Sequence, residues 1–391
     1  MANLDYRTAG ESHGQAVVVL IEGLPAGLRI DEAAINEALR RRQGGFGRGG
    51  RMKIEQDAVN ILSGIRGGVS LASPMAIQIA NKDWRIDTAP AIHRPRPGHA
   101  DFAGAMKYLT TDCRGVLERA SARETAGRVA AGAVAALLLR EFGIEAVGFV
   151  TQIGSVRAEV GAALDAAALR AGRDASEVYC PDAGATAAMV EAIKRAKADK
   201  DTLGGIVEVR AFGLPPGLGS CMRWQDKLDG RILGAVGSIQ AIKGVEIGLG
   251  FGCAERPGSR VHDALAYDAG RRGEASLGFV RQTNHAGGLE GGMTNGMPLV
   301  VRGAMKPIST LLAGLESVNL STLLPERSDY ERSDICAVPA ASVVAEHVVA
   351  FELARAVVEK FGGDTLGEAR AAWAHYLAAA RGQAEGPDKQ T

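Results

Sequence analysis

Two glycine-rich motifs each occur twice in this 391-residue chain, in the same order, and the duplication limits the folds open to it. Gly23-Leu24-Pro25-Ala26-Gly27-Leu28 returns as Gly213-Leu214-Pro215-Pro216-Gly217-Leu218, each time after a β-rich run. Gly64-Ile65-Arg66-Gly67-Gly68, followed by Pro74, returns as Gly288-Leu289-Glu290-Gly291-Gly292, followed by Pro298, and the step from glycine pair to proline is the same in both. Among 51 glycines a single match would be chance, but two in the same order favour a duplicated half. The expectation is two similar α/β halves about a pseudo-two-fold axis, residues 15–80 matching roughly 205–305.

Local patterns supply elements for such halves. Gln15 to Glu22 reads as a buried strand, and Asp31 as the cap of a helix that buries Ile35, Ala38 and Leu39. That helix runs through Arg40, Arg41 and Arg42 into the loop Gly44–Arg51. Val59–Leu62 and Met75–Ala80 alternate like strands. Ser121-Ala122-Arg123-Glu124 fits the S-x-x-E capping box before an Ala-rich helix. Further helices are expected at Ala185–Lys197 and Pro339–Phe361, with His347 on an exposed or half-buried face of the latter.

Composition removes several classes of function. Lys+Arg and Asp+Glu both total 45, so no global field draws the chain to nucleic acid or a membrane surface. Aromatics are only 5 %, too few for a base-stacking platform. The five cysteines are scattered and form no CxxC, which argues against zinc and against a disulfide framework. With no basic-then-apolar leader and no long uncharged apolar run, a soluble cytoplasmic protein is expected.

Any anion site must therefore come from local clustering. The densest cluster is Arg40, Arg41, Arg42, Arg48 and Arg51 around glycines. It reads either as a solvated helix end or as a basic lid over a polyanionic small molecule, whose phosphates and carboxylates suit guanidinium forks. Arg119 and Arg123 flank Ser121, where a helix start would offer free N–H groups to a phosphate. His13, in Gly10-Glu11-Ser12-His13-Gly14, and His99, in Arg96-Pro97-Gly98-His99-Ala100-Asp101, sit beside glycines and arginines in a manner suited to general acids. Arg332-Ser333-Asp334 reads alone as a turn before the last long helix.

Six of these stretches, in this order, closely resemble the chorismate synthase family: GESHG at 10–14, RRRQGGFGRGGRM at 40–52, RPGHAD at 96–101, ERASARETAGRVAAG at 118–132, HAGGLEGGMTNGMP at 285–298 and RSDICAVPA at 332–340. The resemblance implies a β-α-β sandwich with helices between sheets, residues 1–363 as one catalytic domain, 364–391 as a C-terminal extension frayed at its end, and usually a homotetramer. It implies anti-1,4-elimination of phosphate and the C6 hydrogen from 5-enolpyruvylshikimate 3-phosphate, giving chorismate with reduced FMN and no net redox change.

Carried over by motif, His13 and His99 match the family's two histidines, as proton donors near the flavin and near the leaving phosphate respectively. Asp334 matches the acidic residue that assists removal of the C6 proton through flavin N5. Arg42, Arg48 and Arg51 match the loop that clamps the substrate, the first two being assigned in the family also to NADP. Flavin contacts match Arg119, Ala120, Ser121, Gln240, Ala241, Gly291, Lys306, Pro307, Ile308, Ser309, Thr310 and Arg332; many relatives have a second serine at the Ala120 position. No GxGxxG follows a strand here, so NADPH is expected to act only indirectly, through an external flavin reductase. The competing expectations are a flavin reductase oxidising NADPH and a non-catalytic metabolite-binding protein.

Overall fold

The computed structural model describes residues 4–49, 56–328 and 334–383. Strand β1 (Asp5–Ala9) pairs antiparallel with β2 (Ala16–Glu22), whose alternate residues Val17, Val19 and Ile21 are buried. Helix α1 (Glu32–Gln43) starts at Asp31, whose Oδ1 accepts from the Ala34 N–H at 3.2 Å. It buries Ile35, Ala38 and Leu39, as the pattern predicted. Strand β3 (Asn60–Ile61), the hairpin β4 (Ile65–Arg66) and β5 (Val69–Ser70), and β6 (Met75–Ala80) complete this half, giving a sheet of order β1-β2-β6-β3. Helices α2 (Asp101–Lys107), α3 (Arg114–Ala120) and α4 (Thr125–Arg140) then lead into the second half.

There β7 (Glu145–Ile153) and β8 (Val156–Arg157) precede helices α5 (Ala166–Asp174) and α6 (Ala183–Ala198). Strand β9 (Gly205–Phe212), helix α7 (Leu228–Gly237) and strand β10 (Ile242–Ile247) follow. A ribbon of β11 (Leu265–Tyr267) and β12 (Phe279–Arg281), the hairpin β13 (Leu289–Glu290) and β14 (Met293–Thr294), and β15 (Leu299–Met305) come next. The ribbon β16 (Glu316–Val318) and β17 (Pro325–Arg327) and helices α8 (Val338–Phe361) and α9 (Leu366–Gln383) close the chain. The second sheet has order β10-β15-β9-β7-β8, and both sheets are antiparallel.

With β8 set aside, the order β7-β9-β15-β10 repeats β1-β2-β6-β3. The repeated motifs share a hydrogen-bonding scheme as well. Ser70 Oγ donates to the Pro25 carbonyl at 2.6 Å and accepts from the Leu28 N–H at 2.9 Å. Thr294 Oγ1 does the same for Pro215 and Leu218, at 2.6 and 2.8 Å. A hydroxyl at the hairpin thus satisfies turn groups that have no strand partner. We read this as support for duplicated halves, to be checked by superposing residues 15–80 on 205–305.

Helices α4 and α8 lie between the sheets and pack against each other, α4 against β1, β2, β6 and β7 and α8 against β7, β9 and β15. Glycine makes the close approaches possible. A Cβ on Gly132 of α4 would collide with the His347 carbonyl of α8, and one on Gly148 of β7 with the Ser342 carbonyl. Gly132→Val should therefore lower stability by ~1–3 kcal/mol, read as a reduced denaturant midpoint at unchanged slope.

His347 departs from expectation, being 4 % exposed. Layers flank α8 on both sides, so it is buried almost all round and no polar face marks it. Its Nδ1–H donates to the Val343 carbonyl at 2.7 Å, and burial pushes its pKa down. The C-terminal segment is also more than an extension. In α9, Trp373 meets Phe142 and Phe361 at ring centroid distances of 5.1 and 5.0 Å, and Leu366 and Ala369 are buried. Residues 384–391 lie outside the described residues. Among the described residues, no helix is long and apolar enough to cross a membrane.

Candidate active site

A cavity of about 500 Å³ forms where the β1–β2 loop, the end of α1, the loop before α2, the α3–α4 junction and the segments after α7 and β15 converge with the approach to α8. It brings together His13, His99, Asp334, Arg42, Arg48, Ala120, Ser121, Gln240, Ala241, Lys306, Ile308, Ser309 and Thr310. Pro307 lies between wall residues but off the wall itself, and Arg119 and Gly291 are likewise outside it. Arg51 and Arg332 fall outside the described residues.

Each histidine meets a buried carboxylate. His13 Nδ1 lies 3.0 and 3.1 Å from the two oxygens of Glu118, and the His13 backbone N–H donates to Oε2 at 2.7 Å. Burial alone would raise the Glu118 carboxyl; the hydrogen bond and charge of His13 override it and hold it below the ordinary range. His99 Nδ1 bonds to Asp101 at the start of α2, and Arg96 shares that carboxylate through its Nε at 2.8 Å. Burial again opposes ionisation of Asp101, and His99 and Arg96 outweigh it. A carboxylate only accepts, so each Nδ1 carries hydrogen; the Nε2 of His13 is left for other work, while that of His99 lies 3.3 Å from Arg96 Nη2.

The arginine cluster divides. Arg40 stays exposed and pairs with Glu37 at 2.5 Å, and Arg41 grips Glu346 of α8 with two bonds of 2.9 Å. Of the cluster's described members, only Arg42 and Arg48 reach the cavity. Arg42 is buried against Asp57 at 2.5 Å, while Asp57 also holds Arg123 at 2.6 Å. Burial would raise the Asp57 carboxyl, but the two guanidiniums keep it below the usual range. Arg48 lies 3.2 Å from Asp334, whose other oxygen accepts the Gly49 N–H at 2.7 Å. The Gly47 carbonyl accepts from Ile335 N–H at 2.9 Å, so the glycine loop is docked along the 334–336 segment.

The helix-start reading at Ser121 needs correction. A 3₁₀ turn, Ala122–Glu124, separates α3 from α4, and Ser121 Oγ accepts from the Arg123 N–H at 3.2 Å. Glu124 does not return to Ser121 but accepts from Thr8 Oγ1 at 2.6 Å and Gln240 Nε2 at 3.2 Å, so no reciprocal capping box forms. Arg119 donates to the Thr8 and Gly10 carbonyls, at 2.9 and 3.0 Å, and Arg123 to Asp57 and Asn81. Both flanking arginines therefore brace the wall.

Among the described residues of the site, the cation without a carboxylate partner is instead Lys306. Burial and neighbouring Lys243 push its pKa down, and it has no carboxylate partner among the described residues. Its backbone N–H donates to the Ala241 carbonyl at 2.9 Å, and Ala241 has φ 67°, a conformation unusual for alanine. Gln240 Oε1 is buried without a hydrogen-bond partner among the described residues. Sequence reasoning missed Asp57, Glu118 and Arg96 as parts of this machinery; only the company of Arg96 and Glu118 within motifs pointed to them.

Comparison with known proteins agrees in one direction. The chorismate synthase family model matches residues 4–358. A chorismate synthase of Symbiobacterium thermophilum is 56 % identical over 389 residues, covering 95 % of this chain and 98 % of its own length. One from Geobacter sulfurreducens is 54 % identical over 388 residues, covering 96 % and 98 %. A crystal structure of a chorismate synthase, 41 % identical, superposes with a TM-score of 0.79 over 97 % of this chain and 99 % of that one. A family match of this length, with relatives more than half identical from end to end, means that the chain belongs to the chorismate synthase family.

Proposed function

We propose that this cavity converts 5-enolpyruvylshikimate 3-phosphate to chorismate by anti-1,4-elimination, making the chain a carbon–oxygen lyase acting on a phosphate. The observation that carries the reading is the meeting of His13, His99, Arg48 and Lys306 in one cavity. The substrate brings a phosphate and two carboxylates, and a flavin mononucleotide brings another phosphate. Each like-charge pair at ~4 Å costs ~4 kcal/mol at an effective dielectric of ~20. Arg48 and Lys306 supply the offsetting charge, with Arg42 behind them.

The wall suits reduced FMN: Lys306 and the Gln240 oxygen, neither paired among the described residues, offer polar contacts to a phosphorylated ring system together with the Ser309 and Thr310 hydroxyls. When bound, that cofactor supplies electron density for allylic C–O cleavage without net redox change. The chain's own residues orient the reactants and handle protons. His99 donates toward the departing phosphate, and His13 serves the opposite, flavin side. Asp334 holds Arg48 and the Gly49 N–H in the free chain. A substrate anion that takes Arg48 from it would leave this carboxylate facing the cavity, where the C6 proton departs. Arg48→Ala should raise KM for the substrate by roughly ten- to a hundredfold, the value of one charge-assisted hydrogen bond, measured in initial-rate assays with reduced FMN.

The test is anaerobic turnover: reduced FMN plus substrate should give phosphate and chorismate in equal amounts, and no product under those conditions would end the proposal. The chain is further read as a cytoplasmic homotetramer served by a separate flavin reductase. The exposed Phe102, Met106, Tyr108 and Leu109 around α2 support self-association, which sedimentation would check. Oxidation of NADPH by the pure chain would instead show a reductase of its own.

A further inference from the structure

We propose that Glu118 is a positioning residue for the reaction, selecting the tautomer of His13 and aiming its Nε2 into the cavity; this rests on the reading of His13 as an acid–base group. The Glu118 side chain is fully buried in α3, and both its oxygens lie against His13, with Arg114 3.6 Å from Oε1. They lie 3.0 and 3.1 Å from His13 Nδ1, and Oε2 also accepts the His13 backbone N–H at 2.7 Å. The Ser12 N–H donates to the Glu118 carbonyl at 3.0 Å, so the loop carrying His13 is fastened to the last turn of α3 by main chain and side chain together.

Burying a carboxylate is costly, and an apolar pair of the same volume would hold this loop more cheaply. What the carboxylate adds is chemical selection. Because it accepts only, it requires the hydrogen on Nδ1 and leaves the Nε2 lone pair or proton for the cavity. Among the described residues, the charged groups near the ring include Glu118, with Arg114 3.6 Å behind it, and Asp83, 3.9 Å from Nε2 and itself 3.4 Å from Arg85. At His99 the corresponding carboxylate, Asp101, is shared with Arg96, whose Nη2 also lies 3.3 Å from the His99 Nε2.

Glu118→Gln keeps the shape but replaces one acceptor oxygen with a donor, which favours the opposite tautomer. Assayed anaerobically with reduced FMN and substrate, it should lose ~10²-fold in kcat, with KM and flavin affinity close to those of the native chain. Imidazole ¹⁵N spectra of the native chain, assigned by the resonances missing in His13→Gln, should show the Nδ1–H form for neutral His13. An unchanged kcat, or a loss matched by equal losses in substrate and flavin binding, overturns the proposal. So does an Nε2–H tautomer in the native chain, a result that does not depend on whether Glu118→Gln folds. Full activity in His13→Ala would instead overturn the underlying reading of His13, which separates the two failures.

Discussion

His13→Ala and His99→Ala are each expected to slow turnover by ~10²–10⁴-fold, the range for loss of a placed general acid or base, while flavin binding persists. The two replacements differ in what else they disturb. The His99 side chain is 21 % exposed, and its partner Asp101 keeps Arg96 when the imidazole is gone. His99→Ala should therefore melt close to the native chain. The His13 side chain is 10 % exposed, and its removal leaves Glu118, among the described residues, with the backbone N–H of residue 13 and the more distant Arg114. Some stability is lost there with the rate. Stopped-flow kinetics under anaerobic conditions, beside thermal melts, resolve the two effects. Unfolding of both variants, or rates near native in both, would contradict an acid–base role for these imidazoles.

The largest stability effect is expected at Asp57. Asp57→Ala leaves Arg42 and Arg123 buried without their shared counter-charge, and breaking a buried pair in this way costs ~3–5 kcal/mol. Both arginines are at most 5 % exposed, so water offers little relief. The pH dependence has a definite sign. The folded carboxyl titrates below its usual value despite burial, because Arg42 and Arg123 favour the ionised form. Its contribution is thus complete above the unfolded value of ~3.9 and disappears as pH falls through the lower folded value. Denaturant melts from neutral pH down to about pH 3 should show acid destabilisation in the native chain that is weaker in Asp57→Ala. A variant within ~1 kcal/mol of native at neutral pH would mean that the arginines find other partners.

These expectations show where sequence reasoning reaches and where it stops. Strands β2 and β6 and helix α1 were legible because one face of each is buried, so period and cap sufficed. Helix α8 was located correctly, but its burial was not, since a helix between two sheets carries no polar face to reveal His347 as interior. The glycine repeats pointed to equivalent halves, whereas the hydroxyls of Ser70 and Thr294 that fasten them became visible only in three dimensions.

At the site, motifs identified most of the wall, and the partners were hidden by separation along the chain. Arg41 answers to Glu346, 305 residues away, and Arg123 to Asp57, 66 residues earlier. Nothing in the run Arg40-Arg41-Arg42 says which guanidinium faces solvent, which braces α8 and which approaches the cavity. Burial and counter-charge decide that, and both are properties of the assembled layers. At Ser121 the expected capping box does not form for a related reason: Glu124 is drawn to Thr8 and Gln240, and Arg119 and Arg123 to neighbouring carbonyls, Asn81 and Asp57.

The most direct measurement is a crystal structure of the chain with oxidised FMN and 5-enolpyruvylshikimate 3-phosphate. It should place the ring and the substrate face to face in this cavity, with anionic groups on Arg48 and Lys306 and both imidazoles within reach of the reacting atoms. Ligands seated elsewhere, with His13 and His99 touching neither, would contradict the account.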